Sequence, residues 1–215
     1  MVTIKQIIAA ATILMGLSAS CMAGDEQFQI KDLHKIQDVG APALSPDGLN
    51  VVYSVSEHNL KVDQNVSDVW IVPYAGGEAK NLTKTKNKSE WAPQFSPDGK
   101  NIAVVLSKNG GSQIFLINSD GSGLKRLTQS SSIDTEPNFS PDGKSIIFTS
   151  DRGGSPQIYR MPVIDSASRV AERLTFEGSY NVSPQYRHDG KSFTYIHRNN
   201  SQFNVAIQNL ETRQV

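Results

Sequence analysis

Four histidines, His34, His58, His188 and His197, are the side chains of this 215-residue chain best suited to metal ligation or to proton transfer near neutral pH. They are scattered, and none has the close spacing that puts two imidazoles on one helix face toward a zinc ion. His188 stands where sister segments carry a turn proline, so an exposed position is expected. Asp134 and Glu136 lie two apart beside Pro137 and could be read as an acid/base pair, but no second carboxylate pair supports that chemistry. The run Asn118-Ser119-Asp120-Gly121-Ser122-Gly123 opens like a calcium loop, yet Leu127 and Thr128 stand where the bidentate glutamate belongs, so it reads as a hairpin loop. Gly110-Gly111 and Gly153-Gly154 would need a following helix to cradle phosphate, and they sit between predicted strands. Cys21 is the sole cysteine, which excludes an intrachain disulfide or a thiolate zinc site. The expectation is no catalytic residue, no cofactor and no metal.

The elements that surround these residues repeat. Pro137-Asn138-Phe139-Ser140-Pro141-Asp142-Gly143 is followed at once by the apolar run Ile146, Ile147, Phe148. Pro-Asp-Gly is turn chemistry: proline presets φ, aspartate bonds to backbone two residues on, and glycine accepts positive φ. The phrase recurs at Pro42 to Gly48 and Pro93 to Gly99, and in eroded form at Pro184 to Gly190, where Arg187 and His188 replace Ser-Pro. The turn glycines Gly48, Gly99, Gly143 and Gly190 are 51, 44 and 47 positions apart. Each turn leads into an apolar strand, a polar loop, and a third strand with an aligned pair: Val69-Trp70, Ile114-Phe115, Ile158-Tyr159 and, weakly, Val205-Ala206. The first three repeats close on Leu82-Thr83, Leu127-Thr128 and Leu174-Thr175. Strands such as Ile102 to Leu106 are apolar at successive positions, which demands cover on both faces.

Short strands at a period of about 40 to 50 residues predict an all-β propeller of four-stranded antiparallel blades, with a β-sandwich or an antiparallel solenoid as the alternatives. The repeats span about 41–83, 91–128, 136–175 and 183–215. The last lacks its closing Leu-Thr, so a fragment of a larger propeller is expected, with a four-bladed closure as the other possibility. Residues 24–40 form a lead-in, amphipathic from Gln27 to Val39.

Residues 1–23 have Lys5, an apolar stretch from Ile7 to Leu17 and a small-residue exit, the signature of a secretory signal peptide cut after Ala23. The stretch is too short for a membrane span, which takes about 20 residues. The competing reading makes Cys21 a lipidated lipoprotein residue, although Ser18 stands where an aliphatic residue is usual. The 21 basic and 21 acidic residues cancel, and no basic stripe suggests nucleic acid.

These repeats resemble the WD-repeat-like (PD40) propeller family shared by the periplasmic protein TolB and the N-terminal domains of prolyl oligopeptidase-type serine peptidases. Asp134-Thr135-Glu136-Pro137, the run Thr149-Ser150-Asp151-Arg152-Gly153-Gly154-Ser155-Pro156-Gln157-Ile158-Tyr159-Arg160 and His197-Arg198-Asn199-Asn200 look like the TolB propeller, over about 102–215. The first repeat, from Ile30-Lys31-Asp32-Leu33 through Ser67-Asp68-Val69-Trp70-Ile71-Val72-Pro73 to Gly76-Gly77-Glu78, looks more like the first blade of a secreted peptidase. There is no room for the α/β domain that precedes the propeller in TolB. The TolB resemblance implies a non-catalytic periplasmic binding platform that docks a Pal-type peptidoglycan-associated lipoprotein at one mouth. It carries the family's contact positions onto Ala92, Thr135 and Glu136, while a histidine typical of the family is Ser89 here. Read from the residues alone, Glu136 could equally be a solvated residue before a blade's first proline. The alternative resemblance implies the gating propeller of a secreted serine peptidase, without the Gly-x-Ser-x-Gly elbow such chemistry requires. A degenerate or fused gene product that folds poorly by itself is the third possibility. Expected on the binding rim are the loops Lys84 to Ala92, Gln129 to Glu136 and Phe176 to Ser183, joined by Ser107 to Ser112 and Asp151 to Pro156.

Overall fold

The Pro-Asp-Gly turns are built by one hydrogen-bond pattern. In the computed structural model, which describes residues 36–59, 64–85, 88–108, 111–163 and 170–215, Ser140 Oγ donates to Asp142 Oδ1 at 2.6 Å and accepts from Ser145 N at 3.0 Å. Asp142 Oδ1 also accepts from Lys144 N, and Gly143, at φ +71°, donates its N–H to Ser140 O. Ser45, Asp47 and Gly48 repeat this arrangement, as do Ser96, Asp98 and Gly99. In the eroded copy the serine latch is lost. Asp189 still accepts from Lys191 N at 2.9 Å and Gly190 still takes φ +65°, so the chain turns all the same. His188 is exposed there. The serine hydroxyls hold the carboxyls of Asp47, Asp98 and Asp142 below the ordinary carboxylate range; for Asp189 the Lys191 amide is the main cause.

Each turn joins the first two strands of a sheet. The first sheet contains β1 (Asp38–Val39), β2 (Ala43–Leu44), β3 (Asn50–Asn59), β4 (Gln64–Pro73) and β5 (Lys80–Asn81), with both β1 and β2 paired to β3. The second runs β6 (Ser89–Phe95), β7 (Asn101–Lys108), β8 (Gly111–Asn118), β9 (Lys125–Arg126). The third runs β10 (Asp134–Phe139), β11 (Ser145–Ser150), β12 (Gln157–Pro162), β13 (Glu172–Arg173), and the last contains β14 (Tyr180–Tyr186), β15 (Ser192–Asn199) and β16 (Gln202–Asn209). All pairings are antiparallel and no helix occurs among the described residues. The architecture is therefore all-β, a partial propeller of blades I to IV. Within the lead-in, Asp38–Val39 is a strand on β3; the predicted signal peptide, Cys21, His34 and the rest of the lead-in to residue 35 lie outside the described residues.

The expected cover on both faces is what makes the core. Ile102 and Val104 of β7 pack with Val52, Val69 and Leu82 of blade I, while Ala103 between them joins Phe139, Ile146 and Phe148 of blade III. Ile147 then looks the other way, to Phe193 and Tyr195 of blade IV. Burying one such side chain contributes roughly 1.5–3 kcal/mol, so each seam gains from both of its sheets. The turns stack as well. A Cβ built on Gly99, Gly143 or Gly190 would lie 3.6, 3.6 or 3.7 Å from Cδ of Pro46, Pro97 or Pro141, the turn proline of the preceding blade.

The closing Leu-Thr has a physical task. Leu82, Leu127 and Leu174 donate their N–H to the carbonyls of Val69, Ile114 and Ile158, each at 2.8 Å, and point their side chains into the seams. The next residue's hydroxyl accepts from the same third strand: Val69 N to Thr83, Ile114 N to Thr128 and Ile158 N to Thr175, at 3.0, 3.0 and 2.9 Å. It also donates to the preceding polar side chain, Asp68, Gln113 or Gln157. One leucine and one threonine thus fix the outer strand of a blade.

Candidate functional site

The first strand of every blade breaks at a residue followed by proline. In blade I the break separates β1 from β2 around Ala41-Pro42; in the others it is a register shift, between Trp91 and Gln94, Thr135 and Asn138, and Val182 and Gln185. Ala92, Glu136 and Ser183 occupy these bulges with φ of +52°, +55° and +55°, a strained conformation for residues with a Cβ. Such strain persists where the surroundings over-determine it, here a buried proline after each: Pro93, Pro137 and Pro184.

Of the three predicted contact residues, Ala92 and Glu136 sit in these bulges and Thr135 precedes Glu136, paired to Thr149. All three are half-buried. Glu136 is not merely a solvated residue. Its carboxylate accepts from Thr149 Oγ1 at 2.6 Å, from Ser183 N at 2.8 Å and from Ser183 Oγ at 2.6 Å, so it ties the bulge of blade III to that of blade IV. Asn138 adds a second tie, donating Nδ2 to Gln185 Oε1 and accepting from Tyr186 N, both at 2.8 Å. The sequence reading places Ser183 only at the end of a rim loop and does not single out Asn138, although Ser183 lies seven residues before its turn glycine, as Ala92 and Glu136 do.

At the end of the sheets opposite the Pro-Asp-Gly turns, the loops meet. Ile133 N donates to Asp151 Oδ1 at 2.8 Å, which joins the loop before β10 to the loop after β11. Asn181 N donates to Pro156 O at 2.9 Å and Gln157 Nε2 to Gly178 O at 3.2 Å, which joins the latter to the loop before β14. These loops, with Thr135 close behind, therefore share one rim.

Beneath the rim the first strands of blades II, III and IV each carry a buried polar residue: Glu90, Asp134 and Asn181, all 0% exposed. Asp134 is paired with Arg152 at 2.8 Å and accepts from Ser130 Oγ at 2.9 Å. The guanidinium lies 5.2 Å from the Phe148 ring centroid and 4.9 Å from that of Tyr159, a stacked and paired cation of the kind that makes a buried carboxylate tolerable. Asp134 thus has a structural partner rather than the second carboxylate of an acid/base site. Asn181 donates to Gln157 Oε1 at 2.8 Å, and its Oδ1 lies 2.7 Å from His197 Nδ1. Glu90 is the exception. Thr85 Oγ1 donates to its Oε1 at 2.5 Å, but Oε2 has no hydrogen-bond partner, and burial, with Asp68 nearby, pushes its carboxyl up.

Asn118 to Gly123 forms the expected hairpin loop, closed by Gly121 N to Asn118 O and Asn118 N to Ser122 O. Among the described residues, no three His, Cys, Asp or Glu side chains gather as metal ligands, and no helix is long and apolar enough to cross a membrane.

The sequence matches the family described as PD40, TolB beta propeller domain, over residues 39–215. It is 60% identical over 57 residues to the Tol-Pal system protein TolB of Nitrosospira multiformis, a stretch covering 26% of this chain and 13% of that protein. It is 36% identical over 76 residues to dipeptidyl-peptidase 5 of Porphyromonas gingivalis, covering 35% of this chain and 11% of the peptidase. The crystal structure of TolB from Acinetobacter baumannii superposes with a TM-score of 0.71 at 36% identity, covering 83% of this chain and 42% of that one. The chain therefore spans less than half the length of these relatives.

Proposed function

We propose, for a chain that belongs to the PD40 family of TolB beta propeller domains, a non-catalytic, periplasmic role as a platform that binds a protein partner at the rim bearing Ala92, Thr135 and Glu136. The partner is a Pal-type peptidoglycan-associated lipoprotein, as in the Tol-Pal system that gives the Nitrosospira relative its name. The observation that carries this reading is the row of strained bulges. Ala92, Glu136 and Ser183 share one backbone conformation in three successive blades, and the hydrogen bonds of Glu136 lock two of them together. Strain held in place by surrounding contacts preorganises a surface, and loops on a rigid scaffold are where binding concentrates.

The test compares two substitutions. Ala92→Arg adds bulk in front of the rim without removing any hydrogen bond, and Glu136→Lys reverses the charge. Both should lower capture of a Pal-type lipoprotein at least about tenfold. Circular dichroism separates this from unfolding: Ala92→Arg should melt close to the parent chain, so capture undiminished by that variant removes the rim as the binding site. Cell fractionation of the full chain tests the compartment.

A second reading rests on the likeness to dipeptidyl-peptidase 5. In it the blades are the gate of a secreted serine peptidase. Sequencing the gene beyond the codon for Val215 separates the two, since further propeller repeats favour the platform and an α/β region with Gly-x-Ser-x-Gly favours the gate.

A further inference from the structure

The three buried polar residues beneath the rim are held in different ways, and at one of them the set of partners is incomplete. Each is tied to the segment just before its own strand: Ser130 Oγ donates to Asp134 Oδ2, Asn181 Nδ2 to Glu177 O, and Thr85 Oγ1 to Glu90 Oε1. In blade III the other oxygen of Asp134 meets Arg152 at 2.8 Å, which brings a full positive charge. In blade IV the position is a neutral amide, and Gln157 Oε1 and His197 Nδ1 complete its bonds. In blade II Glu90 Oε2 meets no hydrogen-bonding group at all. Across the strand pair Asp134 faces Ser150 and Asn181 faces His197, whereas Glu90 faces Leu106, which is 2% exposed.

The charged groups around Glu90 do not supply what is missing. On β4, Asp68 adds a second carboxylate, which already accepts from Asn81 Nδ2 at 2.9 Å and from Thr83 Oγ1 at 3.2 Å. Just before β6, Lys88 acts on Glu90 without bonding to the orphan oxygen. Burial pushes the Glu90 carboxyl up and Asp68 adds to it, against the opposing pull of the Thr85 hydroxyl, Lys88 and Thr83. A carboxylate buried without a counter-charge is costly, and a bound proton removes that cost without needing any added space.

We propose that Glu90 is a proton-operated fastener between blades I and II: with the proton bound the seam is closed, and with the proton lost to solvent the closing segment Leu82-Thr83 of blade I loosens from β6. Ionisation leaves a bare oxygen inside the seam and sets a second negative charge against Asp68. Asp68 is the acceptor that holds Asn81 and Thr83, so the outer strand of blade I gives way, while β6 stays paired to β7 from Ser89 to Phe95. Ala92 lies two residues beyond Glu90 on the same strand. On the platform function proposed above, on which this consequence rests, the proton therefore also sets how firmly the rim holds its partner.

Amide exchange on the chain alone tests the fastener. Leu82 donates its N–H to Val69 O at the seam, and Leu174, its counterpart on Ile158 O in blade III, reports the rest of the fold. From about pH 5 to about pH 8 the protection factor of Leu82 should fall at least about threefold relative to that of Leu174. In Glu90→Gln the ratio should stay flat; this variant keeps the shape without the charge, and Asn181 shows that an amide is accommodated at the position. A ratio independent of pH in the parent chain overturns the proposal, as does an equal fall in the variant. Capture of a Pal-type lipoprotein, followed over the same range, should weaken with rising pH at least about threefold more for the parent than for Glu90→Gln. Parallel capture profiles overturn the link to the rim. If neither chain captures the lipoprotein at any pH, the platform function fails, and the exchange ratio still decides whether Glu90 fastens the seam.

Discussion

Thr175→Val replaces a hydroxyl by a methyl of nearly the same size and tests whether the Leu-Thr closure fixes a blade. Thr175 is 2% exposed and Ile158 0%, so no water takes the place of the lost oxygen. Two bonds go. Ile158 N loses its acceptor at 2.9 Å and is left buried and unsatisfied, which costs about 1–3 kcal/mol. Gln157 Oε1 loses a donor at 2.7 Å but keeps Asn181 Nδ2 at 2.8 Å, so that loss adds about 0.5–1 kcal/mol. Together the substitution should cost about 1.5–4 kcal/mol, a fall in melting temperature of roughly 3–16 °C for a chain of this size. Thr83→Val removes the corresponding bonds of blade I at a half-buried site that water can reach, and should cost about half as much. Thr194→Val is the control, since its hydroxyl makes only a 3.5 Å contact to Gln185 O at an exposed pair. Calorimetric melts of the three variants give the ordering. If Thr175→Val melts no lower than Thr194→Val, the threonine clamp does not hold the outer strand.

Arg152→Ala removes the cation from a carboxylate that is 0% exposed, and urea unfolding should report a loss of about 3–5 kcal/mol, partly recovered when Asp134→Asn is added. Asp47, Asp98, Asp142 and Asp189 have depressed carboxyls, so the stability they contribute is present above the unfolded value near 3.9 and lost as pH falls through their folded values. Asp142→Asn should flatten that acid-side decline in pH-dependent melts, leaving the other three turns to supply the remainder. Glu90 has the opposite sign. Its raised carboxyl favours the folded state below the unfolded value, and that contribution is lost as pH rises through the folded one. Glu90→Gln should therefore gain in melting temperature on the parent chain as pH is raised from about 4.5 toward 8.

The turns and second strands were legible because their signals are local. Pro-Asp-Gly sets backbone angles within four residues, and Ile102 to Leu106 reveals two covered faces by itself. Even the eroded Arg187-His188-Asp189-Gly190 turn was readable, since aspartate and glycine are the residues that close it. The site was less legible. Ala92 and Glu136 were reached through resemblance, and their positive φ goes with the register shifts of their strands, which their own residue types do not announce. Arg152 pairs with Asp134 across 18 residues, a contact that no periodicity announces. The bond from Glu136 to Ser183 spans 47 residues, close to the repeat length, so aligning the repeats on their turn glycines brings the two together.

The seams between blades are not equally tied, and the difference bears on where a partner could act. Between blades III and IV polar bonds run the full height of the contact: Asn138 to Gln185 and Tyr186, Glu136 to Ser183, and Gln157 to Asn181 at the rim. Between blades II and III the corresponding bulge residue is Ala92, which has no oxygen to offer Glu136, and the tie at the rim runs from Gln113 Nε2 to Ser132 O and from Ser130 to Asp134. Among the described residues, the side-chain bonds of the blade III bulge thus come from Thr149 of its own blade and from blade IV. A partner arriving over Ala92 would meet a methyl group and strained but anchored backbone, a surface that costs little to desolvate and nothing to reorganise. Bulk at Ala92 and loss of the Glu136 anchor should accordingly weaken binding by different routes. The first raises the dissociation rate while the fold is unchanged; the second also loosens blade IV, and a lowered melting temperature distinguishes it.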